Sequence, residues 1–235
     1  MKADVLVPTI SDIIDQKLLA RAGDNLRLIA SYGAGFDHID VQTARQRGIL
    51  VSNTPGVLTD DTADMTLALM LGVMRRFQEG SSLIQEKSWD GWSPSAMLGT
   101  RLGGKRLGIL GMGRIGRAVA DRARSFGMKI HYFNRSRLNK ELEKDAIYHE
   151  TLESLLSVSD FFSINCPATK ETKHIINKET LKNFPSGAVI SNSARGDMID
   201  DEAMVEALKN GKIYSLGIDV YNGEPSIHPE YLTLP

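Results

Sequence analysis

Two kinds of segment in this 235-residue chain have the residue types and spacing of a ligand site. The first is Gly111-Met112-Gly113-Arg114-Ile115-Gly116, a G-x-G-x-x-G set between an apolar run, Arg106 to Leu110, and an amphipathic stretch, Arg114 to Phe126. Gly111 permits a tight turn, Gly113 lets a pyrophosphate approach the backbone, and Gly116 lets helix and strand pack closely. Backbone N–H groups at the helix start then face the anion. An unliganded glycine-rich turn is the competing reading, and the strand-to-helix setting argues against it. In a site for NAD a carboxylate about 20 residues further on receives the ribose 2′-hydroxyl. That place reads Phe133-Asn134-Arg135-Ser136-Arg137, with no acid. Two guanidinium groups and a hydroxyl suit a 2′-phosphate, which favours NADP(H), with NAD(H) as the alternative and a solvated loop as the reading without a ligand.

The second kind comprises Ser191-Asn192-Ser193-Ala194-Arg195-Gly196-Asp197 and Gly217-Ile218-Asp219-Val220-Tyr221-Asn222-Gly223-Glu224-Pro225. Arg195 has the fork that holds a carboxylate, and Glu224 the charge that tunes a proton donor. Singly, each reads as an ordinary surface charge. Together they gain weight because both follow apolar strand patterns, at the sheet edge where open α/β sheets bind ligands.

The elements that must position these residues alternate. Strands are expected at Ala3 to Pro8, Leu26 to Ala30 and Ile49 to Ser52, with helices at Ile13 to Ala20 and Val41 to Arg47. One long helix is expected from Asp60 to about Glu86, its acidic start suited to the positive end of the helix dipole. The Gly- and Pro-bearing stretch Trp89-Asp90-Gly91-Trp92-Ser93-Pro94 breaks the pattern. Beyond it come strands at Lys105 to Leu110, Lys129 to Phe133, Phe161 to Asn165, Ala188 to Asn192 and Ser215 to Val220. Helices fall between them, at Thr151 to Leu156, Glu179 to Asn183 and Asp201 to Asn210. Such alternation requires parallel sheets joined by right-handed crossovers. The fold class is therefore α/β: a Rossmann-type doubly wound parallel sheet in residues 89–235, and a smaller, flavodoxin-like α/β domain with a connecting helix in residues 1–88.

Composition narrows the partners. With 28 Lys+Arg against 29 Asp+Glu the net charge is −1, which gives no broad footprint for nucleic acid or an anionic membrane. The single cysteine, Cys166, and the charged start Met1-Lys2-Ala3-Asp4 point to the cytoplasm. The apolar run Met65 to Met74 is about half of the roughly twenty residues that a bilayer span needs. No two histidines have a metal-ligand spacing, so no metal is expected.

The chain resembles the D-isomer-specific 2-hydroxyacid dehydrogenases. The resemblance covers nearly its whole length and rests on the segments from Gly33 to Asp40, Asn53 to Gly56, Gly111 to Gly116, Asn192 to Gly196 and Asp219 to Pro225. Within the family, Trp89 to Pro94, Asn134 to Arg137 and Ile227-His228-Pro229 look like the branch of glyoxylate and hydroxypyruvate reductases. The resemblance implies an oxidoreductase that reduces a small 2-oxoacid with NAD(P)H. Arg195 would bind the carboxylate and polarise the carbonyl, Glu224 would raise the pKa of a catalytic histidine, and the backbone of Ala34 and Gly35 would hold the carboxylate. Arg114 and Ile115 would meet the pyrophosphate, and Asn134, Arg135, Ser136 and Arg137 the adenosine ribose and its phosphate. Cys166 and Pro167 would lie on the adenine side, with Ser193, Ala194 and Asp219 beside the nicotinamide. Trp92 would project from a neighbouring subunit into the substrate pocket of a homodimer, or else anchor the domain boundary within its own chain.

Two expectations depart from the family pattern. Its proton-donating histidine lies further downstream than the residues after Glu224, and its substrate domain opens with a further strand and helix, so the chain is expected to be truncated at both ends. His228 and His38 are expected to be structural or surface residues. Without its histidine such an enzyme would forgo general acid assistance, about 10²- to 10⁴-fold. Two other functions stay open: a nucleotide-sensing, corepressor-like interaction module on the same fold, and a phosphoglycerate dehydrogenase, which the Arg-rich loop disfavours.

Overall fold

The computed structural model of the protein describes residues 3–234, so the Met1-Lys2 start lies outside it. The chain forms two compact units, Met1–Thr59 and Asp60–Pro235.

The first unit is a parallel three-stranded sheet, β1 (Val5–Leu6), β2 (Leu28–Ala30) and β3 (Leu50–Ser52), in that order. Its helices are α1 (Gln16–Arg21) and α2 (Val41–Gln46), each started by an aspartate. Asp15 Oδ1 accepts the Leu18 amide at 2.8 Å and Asp40 Oδ1 the Thr43 amide at 2.9 Å, satisfying first-turn donors that the helices cannot. Leu19, Ile29 and Ala44 are fully buried between helices and sheet.

The second unit opens with α3 (Thr59–Met74) and α4 (Phe77–Gln85). The sheet and its helices follow: β4 (Arg106–Leu110), α5 (Arg114–Ser125), β5 (Lys129–Phe133), α6 (Lys140–Glu143), β6 (Ile147–Tyr148), α7 (Leu152–Leu156), β7 (Phe161–Ile164), α8 (Lys178–Lys182), β8 (Ala188–Asn192), α9 (Asp201–Lys209) and β9 (Ile213–Ile218). All pairings are parallel and the order is β6-β5-β4-β7-β8-β9, so the direction of winding reverses at β4. Every residue of β7 and β8 is buried, as helices on both faces require. One core layer joins Leu107, Ile109 and Tyr132 to Val119 of α5 and Leu67 and Met70 of α3. The opposite layer joins Phe162, Ile164 and Ile190 to Leu155, Leu181 and Met204. This is the doubly wound Rossmann-type sheet that the alternation requires.

Three features differ from the sequence expectation. The single helix expected from Asp60 to Glu86 is two helices. Arg76 adopts a left-handed φ of 55°, and its guanidinium closes on Glu79 to start α4. The helix α6 and strand β6 are too short to carry a periodicity. Packing also divides the chain at Thr59 rather than after Ser88, because Ala63, Leu67, Met70 and Met74 of α3 bury themselves in the core of the second unit.

Candidate active site

The glycine turn leaves β4 at Leu110. Gly111 has φ 94°, and a Cβ there would stand 2.6 Å from the Cys166 amide nitrogen and 2.8 Å from the Asn165 carbonyl carbon. The turns that follow β4 and β7 therefore touch backbone to backbone, at the point where the sheet reverses its winding. A Cβ on Gly116 would overlap the Gly111 carbonyl oxygen, so the third glycine lets α5 approach the turn. Gly113, the N-cap of α5, is different: no side chain caps the helix there, and a Cβ would have no neighbour within 4 Å. The first amides of this 12-residue helix, with Arg114 and Ile115 in its opening turn, are thus open to an anion.

Across the turn, Asn165 Nδ2 donates to Ser163 Oγ at 2.8 Å, while Asn165 Oδ1 is buried without a hydrogen-bond partner among the described residues. A buried acceptor in this condition suits a ligand hydroxyl, of which a dinucleotide carries several. Sequence reasoning passed over Asn165, because an asparagine after an apolar strand has no distinctive spacing. Its neighbour Cys166 is a wall and not a nucleophile: burial pushes the thiol up to about 11, and Sγ lies 3.9 Å from Met198 Sδ. Pro167 follows it and is exposed, its carbonyl accepting the Thr172 hydroxyl at 2.9 Å.

The loop after β5 is fastened at both ends. Asn134 Oδ1 accepts the Met112 amide at 2.7 Å, tying the loop to the glycine turn. At the far end the Leu138 amide donates to the Tyr132 hydroxyl at 3.1 Å. Between these ties Arg135 and Ser136 are exposed and have no hydrogen-bond partner among the described residues. Arg137 is forked on Glu143 of α6, with Nε to Oε1 and Nη2 to Oε2 both at 2.9 Å. Tyr132 also donates to Glu143 Oε1, at 2.7 Å. Burial, and then the bond to Glu143, push the tyrosine up to about 12, and Arg137 holds the Glu143 carboxyl below its ordinary range. The structure thus separates Arg135 from Arg137, which the sequence treats as equals. Glu143, in a charged helical run, carried no signal of this role.

On the other side of the reversal point, Asn192 at the end of β8 organises the loop that bears Arg195. Its Nδ2 donates to the Arg195 carbonyl at 2.8 Å, its Oδ1 accepts the Ala194 amide at 3.0 Å, and its own carbonyl accepts the Asp219 amide at 3.0 Å. Ser193 Oγ lies 2.8 Å from Oγ1 of the fully buried Thr66 on α3. Arg195 is half-buried and its Nη1 donates to the Ala194 carbonyl at 2.7 Å. A Cβ on Gly196 would overlap Tyr221 and Asn222, so the Arg195 loop and the loop after β9 are in contact. In that second loop Asp219 is exposed, and the exposed Glu224 accepts the Tyr221 amide at 2.7 Å. The ends of β4, β5, β7, β8 and β9 together form one crevice edge carrying both kinds of segment.

Ala34 and Gly35 lie in the first unit, in the loop after β2. Asn53 Nδ2 donates to the Ala34 carbonyl at 2.8 Å and the Thr54 amide to the Gly33 carbonyl at 3.0 Å. The amides of Ala34 and Gly35 donate to nothing among the described residues, and are available to a carboxylate. Trp92 is 83% exposed, in a stretch without helix or strand. His228 Nε2 pairs with Glu202 at 3.1 Å, His131 Nδ1 with His149 Nε2 at 2.9 Å, and His38 Nε2 lies 3.5 Å from Ser31 Oγ. Among the described residues no cluster of three His, Cys, Asp or Glu side chains could hold a metal ion, and no helix is long and apolar enough to cross a membrane.

Residues 67–235 match the family described as D-isomer specific 2-hydroxyacid dehydrogenase, NAD binding domain. The chain is 43% identical over 234 residues to a glycerate dehydrogenase of Hyphomicrobium methylovorum, covering 99% of this chain and 73% of that protein. It is 44% identical over 237 residues to a glyoxylate reductase of Thermococcus litoralis, covering 99% and 71%. The crystal structure of a glyoxylate reductase from Paecilomyes thermophila superposes with a TM-score of 0.91 at 40% identity, covering 97% of this chain and 70% of that one. With a glycine turn, an NAD-binding sheet and an arginine-bearing loop on one crevice edge, the chain belongs to the D-isomer-specific 2-hydroxyacid dehydrogenases, a family of oxidoreductases.

Proposed function

We propose that this enzyme reduces glyoxylate and hydroxypyruvate to glycolate and D-glycerate, with NADPH preferred over NADH. One observation carries the reading: the glycine turn, the guanidinium-bearing loop after β5 and the Arg195 loop share the C-terminal edge of a single parallel sheet. The crevice suits a dinucleotide on its own evidence, namely the open approach over Gly113 and the unpartnered Asn165 Oδ1. Met112 to Gly116 would hold the pyrophosphate, Asn134 to Arg137 the adenosine ribose and its phosphate, Cys166 and Pro167 the adenine side, and Ser193, Ala194 and Asp219 the nicotinamide end. When bound, the reduced nicotinamide supplies a hydride to the keto carbon.

Arg195 then does the work specific to a 2-oxoacid. Its guanidinium grips the carboxylate and polarises the carbonyl, and its charge stabilises the oxygen that becomes anionic as the hydride arrives. Asn192 fixes the loop that bears that arginine, donating to the Arg195 carbonyl and accepting the Ala194 amide. Within the first unit, the amides of Ala34 and Gly35, which donate to nothing among the described residues, are the donors proposed for a carboxylate. Glu224, fixed by the Tyr221 amide, has the task of raising the pKa of a proton-donating histidine. His228 is assigned no part, since its ring is turned to Glu202.

The working unit is a homodimer in the cytoplasm. Supporting the dimer, α4 buries none of its residues, and Phe77, Ile84, Trp89, Trp92 and Leu98 each stand between 59% and 83% exposed. Sedimentation would read a mass near twice 25.9 kDa. The reaction is tested by following NADPH and NADH absorbance as glyoxylate, hydroxypyruvate or a larger 2-oxoacid is added. Oxidation of NADPH with the two smaller acids is expected. Nucleotide binding without oxidation of either coenzyme would favour an interaction module instead.

A further inference from the structure

We propose that Glu143 is a positioning residue that governs the preference for a 2′-phosphorylated adenosine, by holding one edge of the Arg137 guanidinium and leaving the other for the phosphate. The inference rests on the NADP(H) reading above and names the residue that makes it work.

A guanidinium presents its five N–H groups in a plane with two usable edges. Glu143 occupies the edge formed by Nε and Nη2, at 2.9 Å each, and Nη1 has no partner among the described residues. The pair is asymmetric in depth: the Glu143 side chain is 6% exposed and that of Arg137 62%. The carboxylate is therefore a buried anchor beneath a guanidinium whose remaining edge faces solvent. A buried carboxylate persists only when its oxygens are well donated to, and Tyr132 supplies the second donor at 2.7 Å. The same tyrosine hydroxyl accepts the Leu138 amide, and Asn134 is tied to Met112, so both ends of the four-residue span 134–137 are fixed. Arg137 also lies over the Tyr148 ring, 5.7 Å from its centre.

Because Glu143 cancels the charge of Arg137, that arginine contributes through aim, and Arg135, which has no hydrogen-bonded partner among the described residues and feels Glu171 only at a distance, through net charge. Two effects of removing Glu143 oppose each other: loss of aim weakens a 2′-phosphate, while loss of a nearby negative charge strengthens it. The two edges of the fork are a geometric requirement, so aim prevails.

The test uses calorimetric titration of the full chain with adenosine 2′,5′-bisphosphate and adenosine 5′-monophosphate, which differ only in the 2′-phosphate. Glu143→Ala should weaken the bisphosphate about tenfold and leave the monophosphate unchanged, as expected for one fork of charge-assisted bonds. Glu143→Gln keeps an acceptor for Tyr132 and Nε and should stay within about threefold of the parent. Arg137→Lys keeps the ion pair but has no second edge, so it should lose the bisphosphate as Glu143→Ala does. It also carries the test should Glu143→Ala fail to fold. Undiminished discrimination in Arg137→Lys, or equal losses for both nucleotides in Glu143→Ala, would overturn the proposal while the NADP(H) reading stands. A parent chain that binds both nucleotides alike would instead overturn the NADP(H) reading and this inference with it.

Discussion

Asn134 and Met112 join the two loops that must act on one coenzyme: the asparagine Oδ1 at the end of β5 accepts the methionine amide in the glycine turn at 2.7 Å. The tie fixes the loop for the adenosine against the turn for the pyrophosphate. The same tie holds one end of the span that carries Arg135 and Arg137. Asn134→Ala should therefore weaken NADH by about fivefold, the worth of one net hydrogen bond, and NADPH by at least as much. Calorimetric titration with each coenzyme checks it, and undiminished affinity for both would contradict the assignment.

The glycines of the turn separate folding from binding. A Cβ on Gly116 would overlap the Gly111 carbonyl, so Gly116→Ala should force α5 off the sheet and cost about 1–3 kcal/mol of stability. A Cβ on Gly113 meets nothing within 4 Å, and the residue is extended, with φ −72° and ψ −153°, outside the left-handed region that favours glycine. Gly113→Ala should melt like the parent and yet bind dinucleotide at least about tenfold more weakly, because the methyl group stands where the phosphates approach. Thermal melts beside titrations of the two variants distinguish the outcomes.

Arg195→Gln should keep coenzyme affinity and lose turnover. A glutamine cannot supply the charge that the developing oxyanion needs, and the expected fall in kcat/KM for glyoxylate is about 10²- to 10³-fold. An unchanged dissociation constant for NADPH, read from quenching of the tryptophans, would show that the loss lies in the reaction and not in the crevice.

The histidine pair on β5 and beyond β6 predicts an acid limb of stability. Burial, and then His149, hold His131 below the ordinary 6.5, and burial holds His149 below it as well. Both take up protons more readily in the unfolded chain. Their contribution is complete above pH 6.5 and is lost as pH falls through the depressed folded values. The melting temperature should be flat above about pH 7 and decline from about pH 6.5 toward pH 5, and His149→Asn should reduce that decline. The carboxylates held low by arginine, Asp160 and Glu143, act at lower pH and leave this window clear.

Much of this architecture is legible in the chain because it is written in repeated, local signals. Apolar runs that end in glycine turns give the parallel sheet, and Gly111 to Gly116 and Arg195 emerge on the edge that such a sheet reserves for ligands. What escapes is what depends on a partner distant in sequence or on a break within a pattern. The helical periodicity runs through Arg76, so the left-handed turn there is invisible until the packing is seen. The four-residue α6 is too short to announce itself, and with it Glu143 stays hidden, although it decides how Arg137 is held. Asn165 is marked only by an acceptor that finds no donor, which no single sequence displays.

The reversal of winding at β4 also bears on how the molecule is made. On one side β4 pairs with β5 and, through it, β6, all complete by Tyr148; on the other it waits for β7, which begins at Phe161. A nascent chain leaving the ribosome can close the first half of this sheet while the second half is still being translated, with the ladder of β4 open on its far flank. At roughly 5–20 residues per second the exposure is brief. A central strand of the finished sheet, buried from Leu107 to Leu110, is thus, for about a second, its most vulnerable edge to aggregation.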